Sequence, residues 1–303
     1  MKKGPADHSV FVVLVSTARQ RGPARLLIDS IRSFGGAMSQ CPVWLFEADP
    51  RKAPCDSLAG PGIQVLPLAV PDTVRGYCFA DKVYACARAE ELATSGVRSL
   101  MWLNAECLIV QPPLLLELVA PFVAAVRPVH IRNVGIPATG PVDDYWRRIY
   151  QVVGVSDAGF SIESFVDRQQ LRAYFNTHAF SLDPAAGLAR RWCQHLAALV
   201  GDGEFQAGAC SDELHQVFLH QAVLSALLAA SPDAHRIRAL PPSYSYPYNL
   251  QSRVPQERRA QALNDLVCVV YEERPLDPAA IEDIVVHEPL RSWLSARVGS
   301  SHG

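Results

Sequence analysis

The chain has 303 residues, of which 49% are hydrophobic and 19% are charged, and its formal net charge at pH 7 is −2. This composition is typical of a globular protein, and the length allows one large α/β domain or two smaller ones. A net charge this close to zero argues against nucleic acid or an anionic membrane surface as a partner. The most apolar stretch, residues 107–126, contains three prolines, so no membrane span is expected.

The cysteines indicate the compartment in which the protein works. Eight cysteines are scattered along the chain without a C-x-x-C pair, so a thiolate zinc site is not expected. No N-x-[ST] glycosylation sequon occurs. The apolar run near the N-terminus is short, β-branched and preceded by Pro5 and Asp7, which favours a first strand over a signal peptide. Free thiols without sequons predict a cytoplasmic location.

The first third of the chain alternates strands with helices. A continuous apolar run at residues 10–15 predicts a strand buried on both faces. A helix with apolar residues at i, i+3, i+4 and i+7 follows from residue 24 and ends at Gly35-Gly36. Further strands are predicted at residues 43–46, 63–68 and 100–103, and a second helix at 79–94. This alternation predicts a doubly wound, mostly parallel sheet, in which ligands bind beyond the carboxyl ends of the strands.

The remainder of the chain mixes the two kinds of element. Helices are predicted at residues 143–153, 184–199 and 212–230, and strands at 173–182, 267–271 and 284–287. No internal repeat and no low-complexity linker occurs. We therefore expect residues 1–303 to form one continuous α/β domain.

The strand at residues 100–103 is followed by a polar interruption, Asn104-Ala105-Glu106, before apolar residues resume. Residues two apart in an extended strand face the same way, so Asn104 and Glu106 can reach one ion. Amide and carboxylate oxygens suit hard cations such as Mg²⁺ or Mn²⁺, which bridge phosphates. The alternative is a polar strand end at which Asn104 caps the next turn.

The arrangement of a helix with a basic residue, an apolar strand, a D-x-D-like triplet and a second strand resembles the centre of the GT-A-fold glycosyltransferases, the nucleotide-diphospho-sugar transferase superfamily. Four further stretches resemble segments of that fold in the same order: YFNTHAFSLDPAAGLARRW, FLHQAVLSALL, LPPSYSYPYNL and VVHEP. The resemblance covers roughly residues 9–290. Its D-x-D motif is degenerate here, because Asn104 and Glu106 stand in place of the two Asp residues.

The resemblance implies an α/β, GT-A-like fold with a mostly parallel central sheet flanked by helices. The nucleotide-binding half would cover about residues 9–110 and the sugar- and acceptor-binding half about 111–290. The implied partners are a nucleotide-diphospho-sugar donor and an unknown acceptor, with Mn²⁺ or Mg²⁺ as a candidate cofactor. The implied activity is glycosyl transfer. The alternative is a catalytically inactive nucleotide-sugar-binding pseudoenzyme or interaction protein that keeps the fold.

The resemblance also assigns roles to individual residues, while the catalytic residue stays unassigned. The donor-binding positions are Ser16, Thr17, Arg19, Lys82, Asn176, His178, His220 and Gln221, and the metal positions are Asn104, Glu106 and His287. Their side chains are expected to converge on one electropositive cleft shaped for a pyrophosphate. His178 and His220 have an alternative interpretation as core histidines with one hydrogen bond each.

Three tyrosines in the segment PSYSYPYN, at positions 244, 246 and 248, leave two alternatives open. They form either a stacking wall for a sugar acceptor or the packed interior of a loop.

Overall fold

A computed structural model describes residues 8–155, 160–230 and 234–298. The strands are β1 (Ser9–Val15), β2 (Val43–Glu47), β3 (Ile63–Pro67), β4 (Ser99–Leu103), β5 (Cys107–Ile109), β6 (Ala124–Pro128), β7 (Ser161–Glu163), β8 (Gln170–Arg172), β9 (Phe175–Leu182), β10 (Ile237–Ala239), β11 (Tyr246–Pro247) and β12 (Cys268–Val270). The α-helices are α1 (Arg21–Phe34), α2 (Ala80–Leu92), α3 (Asp144–Val153), α4 (Leu188–Val200), α5 (Gly203–Ala207), α6 (Glu213–Ala229) and α7 (Leu290–Val298).

The central sheet confirms the predicted fold class. Within the described ranges it has seven strands in the order β10-β6-β9-β4-β1-β2-β3. All neighbouring pairs are parallel except those of β9, which runs antiparallel to both β4 and β6. Every residue of β1 is buried, as expected for a strand covered by helices on both faces. One face packs against α2, α4 and α6, and the other against α1.

A smaller sheet holds the loop that follows Asn104. In this sheet β5 pairs antiparallel with β12, with Cys107 opposite Val270. Beyond that pair, the Tyr271 N–H donates to the Glu106 carbonyl at 3.1 Å. The segment after β12 is therefore fixed beside the polar triplet at the end of β4.

Two predicted elements differ from the observed ones. The helix predicted at 184–199 begins instead at Leu188, because Gly187 adopts a left-handed conformation (φ 65°) between a short 3-10 turn and α4. The strand predicted at 284–287 was wrong: Val285 makes an isolated bridge to Ala262, and the residues after it lead into α7. Ile284 and Val286 of this segment are buried in an apolar cluster, whereas Val285 and His287 are exposed, and the segment joins no sheet.

Glu90, in α2, connects two of the helices that cover the sheet. The residue is 5% exposed, and its carboxylate accepts the N–H groups of Ala189 and Arg190, at 2.8 and 3.2 Å, at the start of α4. Replacing Glu90 with alanine is expected to lower the free energy of unfolding by about 3 kcal/mol, because two buried helix N-terminal donors lose their acceptor. Urea denaturation measures this loss. Glu91→Ala is the control: its exposed pair with Arg88 should change stability by less than about 0.5 kcal/mol.

No helix among the described residues is long and apolar enough to cross a membrane.

All eight cysteines are free, and six of them are buried. They fill the core as small apolar side chains, as burial of a free cysteine ordinarily indicates.

Candidate functional site

A cleft of 890 Å³ opens where β1 and β4 end, beside the first residues of β9. All eight predicted donor-binding residues line it, and so do Asn104 and Glu106 of the three predicted metal ligands. These residues come from both halves of the chain. The cleft therefore lies at the carboxyl ends of parallel strands, where ligands bind in sheets of this kind.

His287 does not line this cleft. It is exposed, and its backbone N–H and carbonyl bond the side chain of Asn264 at 2.8 and 3.3 Å. The strand expected to carry it to Glu106 is not formed, and β12 occupies the position beside β5. Glu272, two residues beyond the end of β12, lines the cleft.

Asn104 has a defined orientation at the end of β4. Its Oδ1 accepts a hydrogen bond from the Trp102 Nε1–H at 2.9 Å. An indole nitrogen only donates, so the oxygen of the Asn104 amide faces Trp102 and the NH₂ group is left for the cleft. Its backbone N–H donates to the His178 carbonyl at 2.9 Å, which fixes the triplet against β9.

Lys82 places an ammonium group beneath the cleft. The residue is 4% exposed, and its Nζ donates to the Thr177 carbonyl at 3.2 Å and to the Thr177 Oγ1 at 3.4 Å. The rings of Phe79 and Trp102 lie 4.9 and 5.8 Å from Nζ. Burial lowers the pKa of Lys82 to about 8. Within the described part of the chain, no carboxylate lies within 4.0 Å of this nitrogen.

His220 orients the oxygen that receives Lys82. Its Nδ1 lies 2.9 Å from the Val217 carbonyl and its Nε2 lies 3.0 Å from the Thr177 hydroxyl. Since a carbonyl only accepts, Nδ1 carries the proton and Nε2 accepts from the hydroxyl. Burial, with the charge of Lys82 as a smaller cause, lowers the pKa of His220 well below its usual value. The neutral imidazole thereby turns a lone pair of Thr177 Oγ1 towards Lys82.

A second hydrogen-bonded chain runs along one wall of the cleft, through Asn176, His130 and His178. The His178 backbone N–H donates to Asn176 Oδ1 at 2.7 Å, and the Asn176 NH₂ lies 3.4 Å from His130 Nδ1. His130 Nε2 lies 2.7 Å from the Ser245 carbonyl, and burial lowers the pKa of His130 well below its usual value. The two imidazole rings stack in parallel, with centroids 5.8 Å apart. These hydrogen bonds define the donor and acceptor directions along this wall.

His178 also reaches the loop after β12. Its Nδ1 lies 2.6 Å from Asn176 Oδ1 and its Nε2 lies 3.1 Å from a carboxylate oxygen of Glu272. The hydrogen bond from His178 lowers the pKa of Glu272, whose second oxygen accepts from Asn249 Nδ2 at 2.5 Å. Glu272 itself has a left-handed backbone (φ 48°). His178 is therefore not a core histidine with one hydrogen bond, because its ring contacts both Asn176 and Glu272.

The residues after β1 form the mouth of the cleft. The backbone N–H groups of Ser16 and Thr17 donate to Gln20 Oε1 at 2.9 and 3.3 Å. Arg19 is exposed and pairs with the equally exposed Glu273 at 3.0 Å. Such a pair is weak in water and opens readily.

The lining carries both signs of charge, which corrects the expectation of an electropositive cleft. Beside Arg19 and Lys82, four carboxylates line it, namely those of Asp81, Glu106, Glu272 and Glu273. Two of the four come from the loop after β12, which the sequence did not connect with the site. Those two are joined to His178 and Arg19, so their charge is partly offset locally.

Several residues that shape the site were not assigned a role from the sequence. Thr177, His130, Asn249, Glu272 and Phe79 are brought together by tertiary packing alone. Thr177 lies between two predicted residues, and the alternation of a strand could have indicated that it faces the helices. Tyr244, Tyr246 and Tyr248 are at most 4% exposed, so they form the packed interior of their loop.

The side chains present do not fit the divalent cation that the resemblance implies. Within the described residues, no group of three or more His, Cys, Asp or Glu side chains is placed to hold a metal. Asn104 turns its oxygen to Trp102, and both oxygens of Glu272 accept hydrogen bonds from protein groups. Glu273 pairs with Arg19, so Asp81 and Glu106 are the cleft carboxylates that remain. Mg²⁺ and Mn²⁺ require several oxygen ligands in regular geometry.

The sequence matches no protein-family model and no curated protein. The structure is similar to galactosyltransferase LgtC in complex with donor and acceptor sugar analogues, with a TM-score of 0.53, 13% identity and coverage of 96% of this chain and 95% of that one. An active-site mutant of LgtC gives a TM-score of 0.53 at 12% identity, with coverage of 96% and 95%. The bifunctional glycosyltransferase WbbM, as an apo structure, gives 0.55 at 12% identity, with coverage of 92% of this chain and 47% of that one.

These similarities confirm the predicted fold. The chain has the GT-A glycosyltransferase fold, with a mostly parallel central sheet flanked by helices.

Proposed function

We propose that the protein is a glycosyltransferase that moves a sugar from a nucleotide-diphospho-sugar donor to an acceptor. The observation that carries this proposal is the buried Lys82 ammonium, which has no carboxylate partner among the described residues and lies in the lining of a cleft at the carboxyl ends of the strands. An unpaired buried cation costs several kcal/mol, so such a group indicates an anionic ligand. The similarity in fold to structures of glycosyltransferases supports the same proposal.

The proposed chemistry follows from how charge develops during transfer. Positive charge builds on the sugar and negative charge on the departing diphosphate. In the proposed complex the nucleotide lies along Ser16 to Arg19, the diphosphate above Lys82 and Asn104, and the sugar against Asn176 and Gln221. Lys82 offsets the charge of the leaving diphosphate, while the aromatic rings over its ammonium exclude water.

A panel of UDP-, GDP-, ADP- and CDP-sugars tests the proposal. Isothermal calorimetry is expected to show binding of one nucleotide class, and chromatography is expected to show release of the corresponding nucleoside diphosphate. Slow hydrolysis without an added acceptor is sufficient for this measurement. Binding without release, with or without simple sugar acceptors, would favour the inactive nucleotide-sugar-binding protein. Failure of every nucleotide sugar to bind would contradict both functions.

A further inference from the structure

The Asn104 position presents hydrogen-bond donors to the cleft. The Trp102 indole N–H occupies the amide oxygen at 2.9 Å, and the amide NH₂ is consequently directed away from Trp102. A cation binds to oxygen, whereas a phosphate oxygen accepts from N–H groups. The group at the end of β4 is therefore suited to an anion.

Lys82 supplies a positive charge at the same place. Two of the three donors that an ammonium group has are directed to Thr177, and the third is left for a ligand. The neighbouring Thr177 hydroxyl donates to His220, so it presents only lone pairs to the lysine. The ammonium is held in one position by a fixed chain of hydrogen bonds.

The residue that lies against the buried ammonium, Phe79, has a strained backbone. Phe79 precedes α2 with φ 59° and ψ 13°, a left-handed conformation that is unfavourable for a bulky residue. Its ring lies 4.5 Å from the His220 ring and 4.9 Å from Lys82 Nζ, while 44% of the residue is exposed. The strained residue thus lies against both Lys82 and His220 in the lining of the cleft.

We infer that the protein holds the donor diphosphate without a divalent cation, using the Lys82 ammonium and the Asn104 amide NH₂ as the groups that bind it. This inference rests on the proposed function. Lys82 provides the positive charge that the cation would otherwise provide. Asn104, at a position implied to bind the cation, instead donates directly to a phosphate oxygen.

The inference is tested by calorimetry with UDP, GDP, ADP and CDP. Each nucleotide is titrated once in EDTA and once in about 1 mM MnCl₂. The wild-type protein is expected to bind its preferred nucleoside diphosphate with affinities that agree within about threefold in the two buffers. Electron paramagnetic resonance of Mn²⁺ titrated into the protein with this nucleotide should show no more bound cation than the same concentration of nucleotide binds without the protein. This second readout does not depend on transfer activity.

Asn104→Asp is the informative variant. The carboxylate can still accept from Trp102, but its second oxygen replaces the NH₂ donor beside Glu106. Affinity in EDTA is expected to fall about tenfold or more, and Mn²⁺ should restore it, because positions 104 and 106 then both present a carboxylate at the end of β4. Asn264→Asp is the matched control: it adds the same charge at a residue that does not line the cleft, and should leave nucleotide affinity unchanged.

Each alternative result has a separate meaning. Nucleotide binding by the wild-type protein that requires Mn²⁺ would overturn this inference and leave the proposed function standing. Asn104→Asp with unchanged affinity in EDTA would overturn the assignment of the amide as a donor. An absence of nucleotide binding in both buffers would overturn the proposed function, and this inference with it.

Discussion

Replacing Lys82 with methionine is expected to weaken nucleoside diphosphate binding about 100-fold, or about 2.7 kcal/mol. Methionine has similar length and fills the space between Phe79 and Trp102, but it removes the charge. An ammonium and a phosphate about 4 Å apart attract each other by about 4 kcal/mol at the effective dielectric constant of a partly buried site. Calorimetry of the wild-type protein and the variant with the preferred nucleoside diphosphate measures the difference.

Lys52→Met is the matched control for this variant. Lys52 is exposed and pairs with Asp49 at 3.3 Å, outside the cleft lining. Its replacement should leave affinity unchanged. Lys82→Met should also be at least as stable as the wild-type protein in urea, since it removes a desolvated charge without creating a cavity. Equal affinities of the wild-type protein and Lys82→Met would contradict the role given to Lys82.

The second prediction is that nucleotide affinity and protein stability change in opposite directions above pH 8. Burial lowers the pKa of Lys82 from 10.5 to about 8, although Cys86, Cys107, Glu106 and Glu272 act electrostatically in the other direction. As the pH rises past 8, the free protein loses the charge that binds the diphosphate. The dissociation constant is therefore expected to rise about 15-fold in total between pH 8 and pH 9.5.

The free energy of unfolding changes with pH in the opposite direction to nucleotide affinity. Between pH 8 and 10.5 the unfolded chain holds a proton on Lys82 that the folded chain has released. The free energy of unfolding therefore rises with pH in this window, by up to about 3 kcal/mol from this group. The gain is complete above the unfolded pKa and is lost as the pH falls through the folded one.

Urea denaturation of the wild-type protein and Lys82→Met at pH 7, 8, 9 and 10 isolates this contribution. The other groups that titrate in this range are common to both proteins, so the difference between the two curves reports on Lys82. The wild-type protein should gain stability relative to the variant as the pH rises. A constant difference across this range would show that the lysine titrates normally and is not desolvated.

The order of strands and helices in the first third of the chain could be predicted from hydrophobic pattern. The run at residues 10–15 is apolar on both faces, and only a strand between two helical layers buries both faces. The helix from Arg21 shows the spacing of one buried face, with Ala24, Leu27, Ile28 and Ile31 buried. Local sequence is informative here because burial repeats with the period of the element.

The hydrophobic pattern predicted a strand wrongly where side chains are buried outside a sheet. Residues 284–287 bury alternate side chains, those of Ile284 and Val286, yet they form only an isolated bridge to Ala262 before α7. Such a segment and an edge strand bury the same alternate residues, and only a hydrogen-bonding partner distinguishes them. The misplacement of His287 follows from this error, because its expected position depended on a terminal strand that is not formed.

The sequence by itself determined the class of fold and the end of the sheet at which polar residues collect, since both follow from periodicity and from residues adjacent to predicted strands. Only the tertiary structure decided what those residues present to a ligand. The amide of Asn104 became a donor because Trp102 lies against its oxygen, and Lys82 became a buried charge because Phe79 and Thr177 enclose it. Donor direction and desolvation depend on neighbours up to 95 residues away in the chain, which no local pattern encodes.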